Sequence, residues 1–196
     1  MTRVGVFASE RTRPCEVEIV QLLRADGFEV VLPERTIQSL PANIAETIDA
    51  AIVLTGFAAL EHCGTLPAVV VPGEAEAWHF ADTETIPIHL RRRQTVPAPD
   101  GGVYVRRDLT DYALYGRELA FALNAREGKT AVCLPLRGLS ALDDFDAPFF
   151  STEMRMALFG NLTTHLKQEI RLYEGNVHVN SQPFASLCAE TLLTLL

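Results

Sequence analysis

The stretch from Val4 to Pro33, "VGVFASERTRPCEVEIVQLLRADGFEVVLP", decides the fold. It begins and ends with short apolar runs rich in valine, and the segment between them has a helical period. Pro14 suits the first turn of this helix, and Gly27 ends it. The apolar residues that recur on one helical face are Val17, Val20 and Leu23. The stretch therefore predicts a strand, a helix and a second strand, which is the unit of a parallel sheet.

Short apolar runs continue to alternate with helical segments along the rest of the chain. None of these runs alternates strictly between polar and apolar residues, as expected for strands that are buried on both faces. We therefore predict one α/β domain over residues 1–196, a three-layer α/β/α fold with a mainly parallel, Rossmann-like (doubly wound) sheet of about six strands. The predicted strands are residues 4–8, 28–33, 50–55, 68–72, 130–136 and 169–174.

Capping residues mark the other helix starts. Ser39 with Pro41 predicts a second, shorter helix. Asp108 followed by Asp111 predicts a longer helix with a capping box. The last two helices are predicted to begin at Ser151 and Pro183.

The segment from residue 74 to 102 interrupts the alternation of strands and helices. It contains three prolines, two adjacent glycines and the single tryptophan, and its apolar residues follow no sustained helical or strand period. A long irregular segment in a compact domain is commonly a binding loop, a lid or an interface arm. We predict an irregular loop or arm here, and a plain surface excursion is the alternative.

The composition narrows the classes of function. A formal net charge of −8 argues against nucleic-acid binding, which depends on clustered Lys and Arg. No apolar span approaches the roughly 20 residues of a membrane helix, so we expect no membrane association and a cytoplasmic location. The four cysteines lack a C-x-x-C pair and are expected to be buried thiols in a reducing compartment. No metal site is predicted.

The strand ends indicate where a ligand would bind, because parallel sheets bind ligands beyond the carboxyl ends of their strands. After the strand at residues 130–136 come Arg137, Gly138 and Ser140. They supply a forked cation, a tight turn and a hydroxyl, which together predict a site for a small anion. The alternative is that Arg137 pairs with Asp143 or Asp144 and that Ser140 only caps a turn.

A serine hydrolase is a further alternative. Ser140, then an acid at Asp143, Asp144 or Asp146, and finally His178 follow the chain order of an α/β-hydrolase triad. The turn does not match the G-x-S-x-G motif of such enzymes, and the acid lies close to the serine in sequence. The chain also lacks both the G-x-x-x-x-G-K-[ST] and the G-x-G-x-x-G phosphate-binding motifs.

Three segments resemble a known family. "AVCLPLRGLSALDDFDAPFFSTEMRMALFGNLTTHL" (131–166) and "HVNSQPFASLCAETLLTLL" (178–196) resemble the C-terminal half of the Tm-one-like ATP-binding family, with its strand end, Pro-Phe step and final His-x-Asn segment. "YVRRDLTDYALYGRELAFALN" (104–124) resembles the helix entry of that family. The resemblance implies the fold, and it implies a strand-end site at Arg106, Gly138, Ser140, Asp143, His178 and Asn180.

The resemblance also bears on cofactors and partners. ATP binding in that family belongs mainly to an N-terminal domain, which we expect to be absent here, and the glycine-rich stretch of the family is missing after residue 34. The cofactor is therefore left unknown, with a nucleotide as one candidate. We expect a strand-end pocket for a small anionic ligand, either a nucleotide or a phosphorylated metabolite, in a homo-oligomer or beside a separate partner chain. The alternative from another class is a non-catalytic interaction subunit whose partner chain carries the N-terminal half.

Overall fold

The computed structural model describes residues 1–33 and 44–196. The predicted short helix at Ser39 and Pro41 begins outside the described residues. The strands are β1 (Arg3–Phe7), β2 (Glu29–Val31), β3 (Ala50–Val53), β4 (Ala68–Val70), β5 (Ala77–Phe80), β6 (Thr95–Pro97), β7 (Val103–Arg106), β8 (Thr130–Pro135) and β9 (Arg171–Gly175). The α-helices are α1 (Arg13–Ala25), α2 (Phe57–Leu60), α3 (Leu109–Asn124), α4 (Thr152–His165) and α5 (Gln182–Leu193).

The six strands predicted from the sequence form one parallel sheet in the order β2-β1-β3-β4-β8-β9. In the centre of this sheet Val6 lies opposite Ile52, and Ile52 lies opposite Val69. All residues of β3, β4 and β8 are buried, which explains their continuous apolar sequences. The predicted parallel α/β fold is confirmed.

The strand order changes direction at β1. The chain places β2 on one side of β1 and then adds β3, β4, β8 and β9 on the other side. The loops after β1 and β3 therefore leave the sheet toward opposite faces, and a crevice opens between them at the carboxyl ends of the strands. We call this end of the molecule the sheet edge.

Helices cover both faces of the sheet and give the predicted three layers. On one face, Ile19 of α1 and Cys188 of α5 pack against Val6 and Ile52. On the other face, α3 and α4 pack against Phe7 and other residues of the central strands. Fully burying an aliphatic or aromatic side chain contributes roughly 1.5–3 kcal/mol, so these two apolar layers dominate the stability of the fold.

Residues 77–106 form an arm outside the parallel sheet. The segment from residue 74 to 102, expected to be an irregular loop or arm, contains β5 and β6, and both pair antiparallel with β7. One side of the arm packs Tyr104 and Ala77 against Phe149. The arm therefore lies against the turn that follows β8.

Two of the predicted helix starts are confirmed in detail. Asp108 and Asp111 form a reciprocal capping box at the start of α3. The hydroxyl of Ser151 accepts a hydrogen bond from the backbone N–H of Met154 at the start of α4. Among the described residues, no helix has the length and apolar character needed to cross a membrane.

Candidate functional site

The two arginines among the predicted site residues have different surroundings. Arg137 is exposed, and its Nε donates to Oδ1 of Asn176 at 2.8 Å. Arg106 lies at the end of β7, where its guanidinium donates to Oε1 of Gln94 at 3.2 Å and to the carbonyl oxygen of Phe150 at 3.4 Å. Arg106 therefore holds the arm against the segment before α4.

Gly138, His178 and Asn180 are brought together, but they bond to one another and to the backbone. The backbone N–H of Asn180 donates to Nδ1 of His178 at 3.0 Å, so the ring proton is on Nε2, which donates to the carbonyl oxygen of Ser140 at 3.1 Å. A Cβ at Gly138 would lie 2.2 Å from Cδ2 of His178. The close approach of the loop after β8 to the loop after β9 thus requires glycine at this position.

Ser140 is fully buried and bonds away from His178. Its hydroxyl donates to the carboxylate of Glu76 and accepts from the backbone N–H of Leu142, so it caps the turn. His178 reaches the carbonyl oxygen of Ser140 rather than its hydroxyl. The geometry therefore does not assemble the serine and histidine of a hydrolase.

Asp143 stabilises the same turn. It pairs with Arg155 of α4 at 2.5 Å and accepts hydrogen bonds from the backbone N–H groups of Leu139 and Ser151 at 3.1 and 3.2 Å. Burial raises the pKa of Asp143 to about 6, although Arg155 and these hydrogen bonds oppose the shift. Asp143 therefore orders the turn as the start of α4 packs against it.

An acidic pair after β4 was missed by the sequence reasoning. Glu74 and Glu76 follow the buried strand in "PGEAEAW", and Arg11 from the loop after β1 pairs with both, reaching Oε2 of Glu74 at 3.1 Å. Ser9 and Thr12 also donate to Glu74. The available signal was the position of two acids directly beyond a buried strand.

The acidic pair occupies the space between the loops after β1, β4 and β8. Burial raises the pKa of Glu74, while Arg11 lowers it. Burial disfavours the charge of Arg11, but Glu76 and Glu74 raise its pKa overall. Glu74 also has a φ of 62°, an uncommon conformation for a residue with a Cβ. We interpret this ion-paired cluster as a set of contacts that holds the loops at the sheet edge together.

Arg107 differs from the other arginines described at this end of the molecule, because its side chain donates no hydrogen bond within the described residues, whereas Arg106 and Arg137 have amide or carbonyl acceptors. Arg11, Arg93 and Arg155 each have a carboxylate partner. Arg107 has none among residues 1–33 and 44–196, and its buried Nε makes no hydrogen bond there. Burial lowers the pKa of Arg107. The guanidinium is therefore a partly buried cation without an acceptor in the described chain.

Two aromatic rings hold Arg107 in place. Its guanidinium carbon lies 4.9 Å from the ring centroid of Trp78 in β5 and 5.0 Å from that of Tyr115 in α3. The backbone N–H of Arg107 also donates to the carbonyl oxygen of Glu76 at 2.9 Å. Such cation–π contacts contribute roughly 0.5–2 kcal/mol each and restrict the side chain without neutralising its charge.

The loop after β3 lies against the same tyrosine. A Cβ at Gly56 would lie 1.8 Å from the hydroxyl oxygen of Tyr115, and Gly56 has a φ of 61°, so glycine is required on both counts. The ring of Phe57 is 5.1 Å from that of Tyr115. The hydroxyl of Thr55 is buried and lacks a partner in the described part of the chain. Tyr115 therefore lies in contact with both Arg107 and the loop after β3.

A groove of about 510 Å³ lies on the opposite face, between the starts of α1 and α5. Neither helix start has a side-chain cap. The residues that line the groove are Glu10, Arg13, Pro14, Val17, Glu18, Asn180 and Gln182. Of the predicted site residues, only Asn180 is among them. No group of three potential metal ligands occurs within the two described ranges.

Comparison with known proteins places the chain in a family. The family model described as "Uncharacterised protein family (UPF0261) C-terminal domain" matches residues 55–196, which include Trp78, Arg107 and Tyr115. This match corrects the resemblance drawn from the sequence, because the family that it supports is UPF0261 and not the Tm-one-like family. A curated relative, the "UPF0261 protein" of Clostridium tetani (strain Massachusetts / E88), is 28% identical over 132 residues. The alignment covers 67% of this chain and 33% of the relative, so the chain spans about a third of the length of that protein.

Proposed function

The chain belongs to the UPF0261 family through its C-terminal domain, and we propose that it binds a small anionic ligand at the sheet edge, beside Arg107 and the loop after β3. The observation that carries the proposal is the guanidinium of Arg107, which lies between Trp78 and Tyr115 and has no acceptor among residues 1–33 and 44–196. A phosphate or carboxylate group would supply the missing acceptor. The position agrees with the rule that parallel sheets bind ligands where the strand order reverses.

The chemistry of Arg107 supports phosphate or carboxylate over other groups. A guanidinium presents a planar fork of donors that matches these anions with two parallel hydrogen bonds. Stacking on Trp78 and Tyr115 orders the fork before a ligand arrives, which lowers the entropy lost on binding. Nucleotides and phosphorylated metabolites are the ligand classes that fit this proposal.

The test is a titration followed by the fluorescence of Trp78, the only tryptophan. Inorganic phosphate, AMP, ribose 5-phosphate and acetate are the probes, with calorimetry as a second readout. We expect Arg107→Ala to weaken binding at least about tenfold, since hydrogen bonds to a charged group contribute roughly 1.5–3 kcal/mol. Arg107→Lys keeps the charge without the fork and is expected to bind with intermediate affinity.

Arg137→Ala is the matched control, because Arg137 is an exposed arginine at the same sheet edge whose side chain already has an acceptor, Asn176. Its binding should equal that of the wild type. Loss of binding in Arg137→Ala with retention in Arg107→Ala would place the ligand at the turn after β8 instead. No response to any of the four anions would refute the proposal.

A second candidate is a non-catalytic subunit that binds another chain or a second copy of itself. Its support is the strong exposure of two large apolar side chains, Ile88 of the arm at 83% and Phe145 at 75%. Native mass spectrometry of the purified protein separates the candidates. A stable complex whose assembly is lost in Ile88→Ser or Phe145→Ser would favour this role.

The cytoplasm is the location that we propose for either role. All four cysteines are buried free thiols, which suits a reducing compartment. Imaging of a fluorescent fusion of the chain checks the location directly.

A further inference from the structure

Two exposed apolar side chains lie in surroundings of opposite charge. Apart from Met1, the most exposed large apolar residues of the described chain are Ile88, at 83%, and Phe145, at 75%. Single exposed apolar residues are common on protein surfaces, so exposure alone carries little meaning. These two differ in that each is flanked in sequence by charges of one sign. We call residues 87–93, "PIHLRRR", the arm tip, and residues 144–147, "DFDA", the acidic turn.

The arm tip carries two cations that no carboxylate neutralises. Arg91 and Arg92 are exposed, and neither pairs with an acid among the residues that the structure describes. The guanidinium of Arg91 donates to the carbonyl oxygens of Ile86 and Glu84 at 2.9 and 3.1 Å. These bonds fix the side chain without cancelling its charge, because Glu84 meets it through the backbone and not through the carboxylate. Ile88 is therefore presented beside an arginine pair whose charge is available to a partner.

The acidic turn presents Phe145 between two exposed carboxylates, those of Asp144 and Asp146. The backbone N–H of Ala147 donates to the carbonyl oxygen of Asp144 at 2.9 Å, which closes a four-residue turn. Asp146 has a φ of 66°, a conformation that glycine usually supplies at the third position of a turn. Asp144 accepts a hydrogen bond from the backbone N–H of Phe145 at 2.7 Å, and neither carboxylate has a cationic partner in the described part of the chain. The ring of Phe145 is 5.6 Å from that of Phe150 and is otherwise open to solvent.

The arm tip and the acidic turn lie on opposite faces of the three-stranded sheet of the arm. Leu90, two positions from Ile88, packs in one apolar cluster with Val105 of β7. Phe149, two positions beyond the acidic turn, packs in another cluster with Tyr104 of the same strand. Successive side chains of a strand point to opposite faces of a sheet. One copy of the chain therefore cannot bring its own arm tip onto its own acidic turn.

We propose that the arm tip of one copy of this chain docks on the acidic turn of a second copy. Ile88 packs against Phe145, so that each apolar side chain covers the other. The arginines of the arm tip face the carboxylates of the acidic turn, whereas contacts of tip with tip or turn with turn would oppose like charges. A second copy is the occupant that fits, because the chain itself carries both halves of the contact. The proposal specifies the self-association given above as the second candidate, and it does not depend on the anion site at Arg107.

The placement of the two surfaces determines the kind of assembly. A contact between unlike surfaces leaves one arm tip and one acidic turn unused in any pair of chains. A third copy can therefore add, and the assembly closes into a ring or grows as a chain. Because one apolar residue anchors each side, the contact is a weak one that forms at high protein concentration.

The test is sedimentation velocity, with native mass spectrometry as a second readout, on the whole chain from about 1 µM to about 500 µM. The wild type is expected to form complexes of three or more chains as its concentration rises. Ile88→Ser and Phe145→Ser should each weaken association at least tenfold, since each removes an apolar anchor from the centre of the contact. Phe121→Ser removes another exposed aromatic ring, on α3, and should leave the assembly unchanged.

Mixing the two defective variants is the decisive measurement. An equimolar mixture of Ile88→Ser and Phe145→Ser should form a complex of two chains and nothing larger. The arm tip of one variant and the acidic turn of the other are intact, while the two remaining surfaces are both defective. A mixture that fails to associate would overturn the head-to-tail contact. A wild type that is monomeric at every concentration, or that binds only a different protein, would overturn it as well.

Reversing a charge separates this contact from non-specific association. Arg92→Glu should weaken assembly at least fivefold, whereas Arg117→Glu makes the same change of net charge at an exposed position of α3 and should have no effect. Equal effects of the two reversals would overturn the charge pairing. Arg107→Ala should assemble like the wild type, and Ile88→Ser should bind phosphate like the wild type. A failure of this contact is thus distinguished from a failure of the anion site.

Discussion

Asp143 and Glu74 are carboxyl groups that folding moves from water into the interior of the sheet edge. Both have a raised pKa, and for both the largest cause is burial. A carboxyl group whose pKa is higher in the folded state binds its proton more tightly there than in the unfolded chain. Each therefore stabilises the fold more below its ordinary pKa than at neutral pH.

The pH dependence of stability tests this at Asp143. Its pKa rises from 3.8 to about 6, so its contribution to the free energy of unfolding should fall between about pH 4 and pH 6 and stay constant above. The total change is on the order of 3 kcal/mol. Denaturant unfolding at several pH values should show that Asp143→Asn removes this slope. Asp144→Asn, an exposed neighbour, should retain it. A wild-type and an Asp143→Asn curve that run parallel from pH 4 to 6 would contradict the assignment.

The sequence placed Ser140 and Asp143 at a strand end but could not identify their partners. The hydroxyl of Ser140 meets Glu76, which is 64 positions away, and Asp143 meets Arg155, 12 positions away. Charge and spacing within one turn offered Arg137 as a ligand-binding residue, with an ion pair to Asp143 or Asp144 as the alternative. Arg107 was missed because only tertiary contacts reveal that its side chain has no acceptor in the described part of the chain.

At the scale of elements, α3 and α4 approach unusually closely. A Cβ at Gly116 of α3 would lie 2.2 Å from the carbonyl oxygen of Leu158 and 3.1 Å from the backbone nitrogen of Leu162 in α4. These neighbours are backbone atoms and cannot rotate away. The contact therefore depends on glycine at this crossing.

Gly116→Ala should force the two helices apart and destabilise the protein by about 1–3 kcal/mol, the usual range for overpacking. Gly160→Ala in α4 is the matched control, because a Cβ there meets no atom within 4 Å. That control should stabilise the helix by about 0.5–1 kcal/mol, since alanine favours helix over glycine. Thermal unfolding of both variants measures the contrast, and equal effects of the two would refute the close approach.

Arg93 joins the arm to the start of α3. Arg93 pairs with Asp108 at 2.6 Å and with Asp111, the two residues of the capping box, and its guanidinium carbon lies 5.1 Å from the ring centroid of Trp78. The same residue thus contacts β5 and the first turn of α3. Trp78 is stacked by Arg93 and Arg107 together.

Arg93→Ala should loosen the arm and lower the free energy of unfolding. The decrease should be only about 1 kcal/mol, because the ion pairs are partly exposed. The emission of Trp78 should shift to longer wavelength as water gains access to the ring. Arg92→Ala, which removes an exposed arginine from the adjacent position, should leave both the emission and the stability unchanged. An unchanged emission in Arg93→Ala would show that the arm is held by other contacts.

At the scale of the whole molecule, the parallel sheet could be predicted because its strands are buried on both faces, and such burial leaves continuous apolar runs in the sequence. The arm could not be predicted as strands. Residues 95–97 read "TVP", and the burial of β5 alternates weakly, from buried Ala77 to exposed His79. Short strands of this kind are stabilised by their partner strand, which the local sequence does not identify. The candidate site could not be predicted for the same reason, since it forms where the arm meets the sheet edge.

The arm also leaves and rejoins the domain at adjoining points. Ala77 pairs with Arg106 at its base, and the carbonyl oxygen of Glu76 lies 2.9 Å from the backbone nitrogen of Arg107. A segment whose two ends touch can be exchanged without moving the elements on either side of it. Evolution or protein engineering could therefore lengthen, shorten or replace the arm as one cassette. Ligand preference could then diverge while the parallel sheet and its helices stay the same.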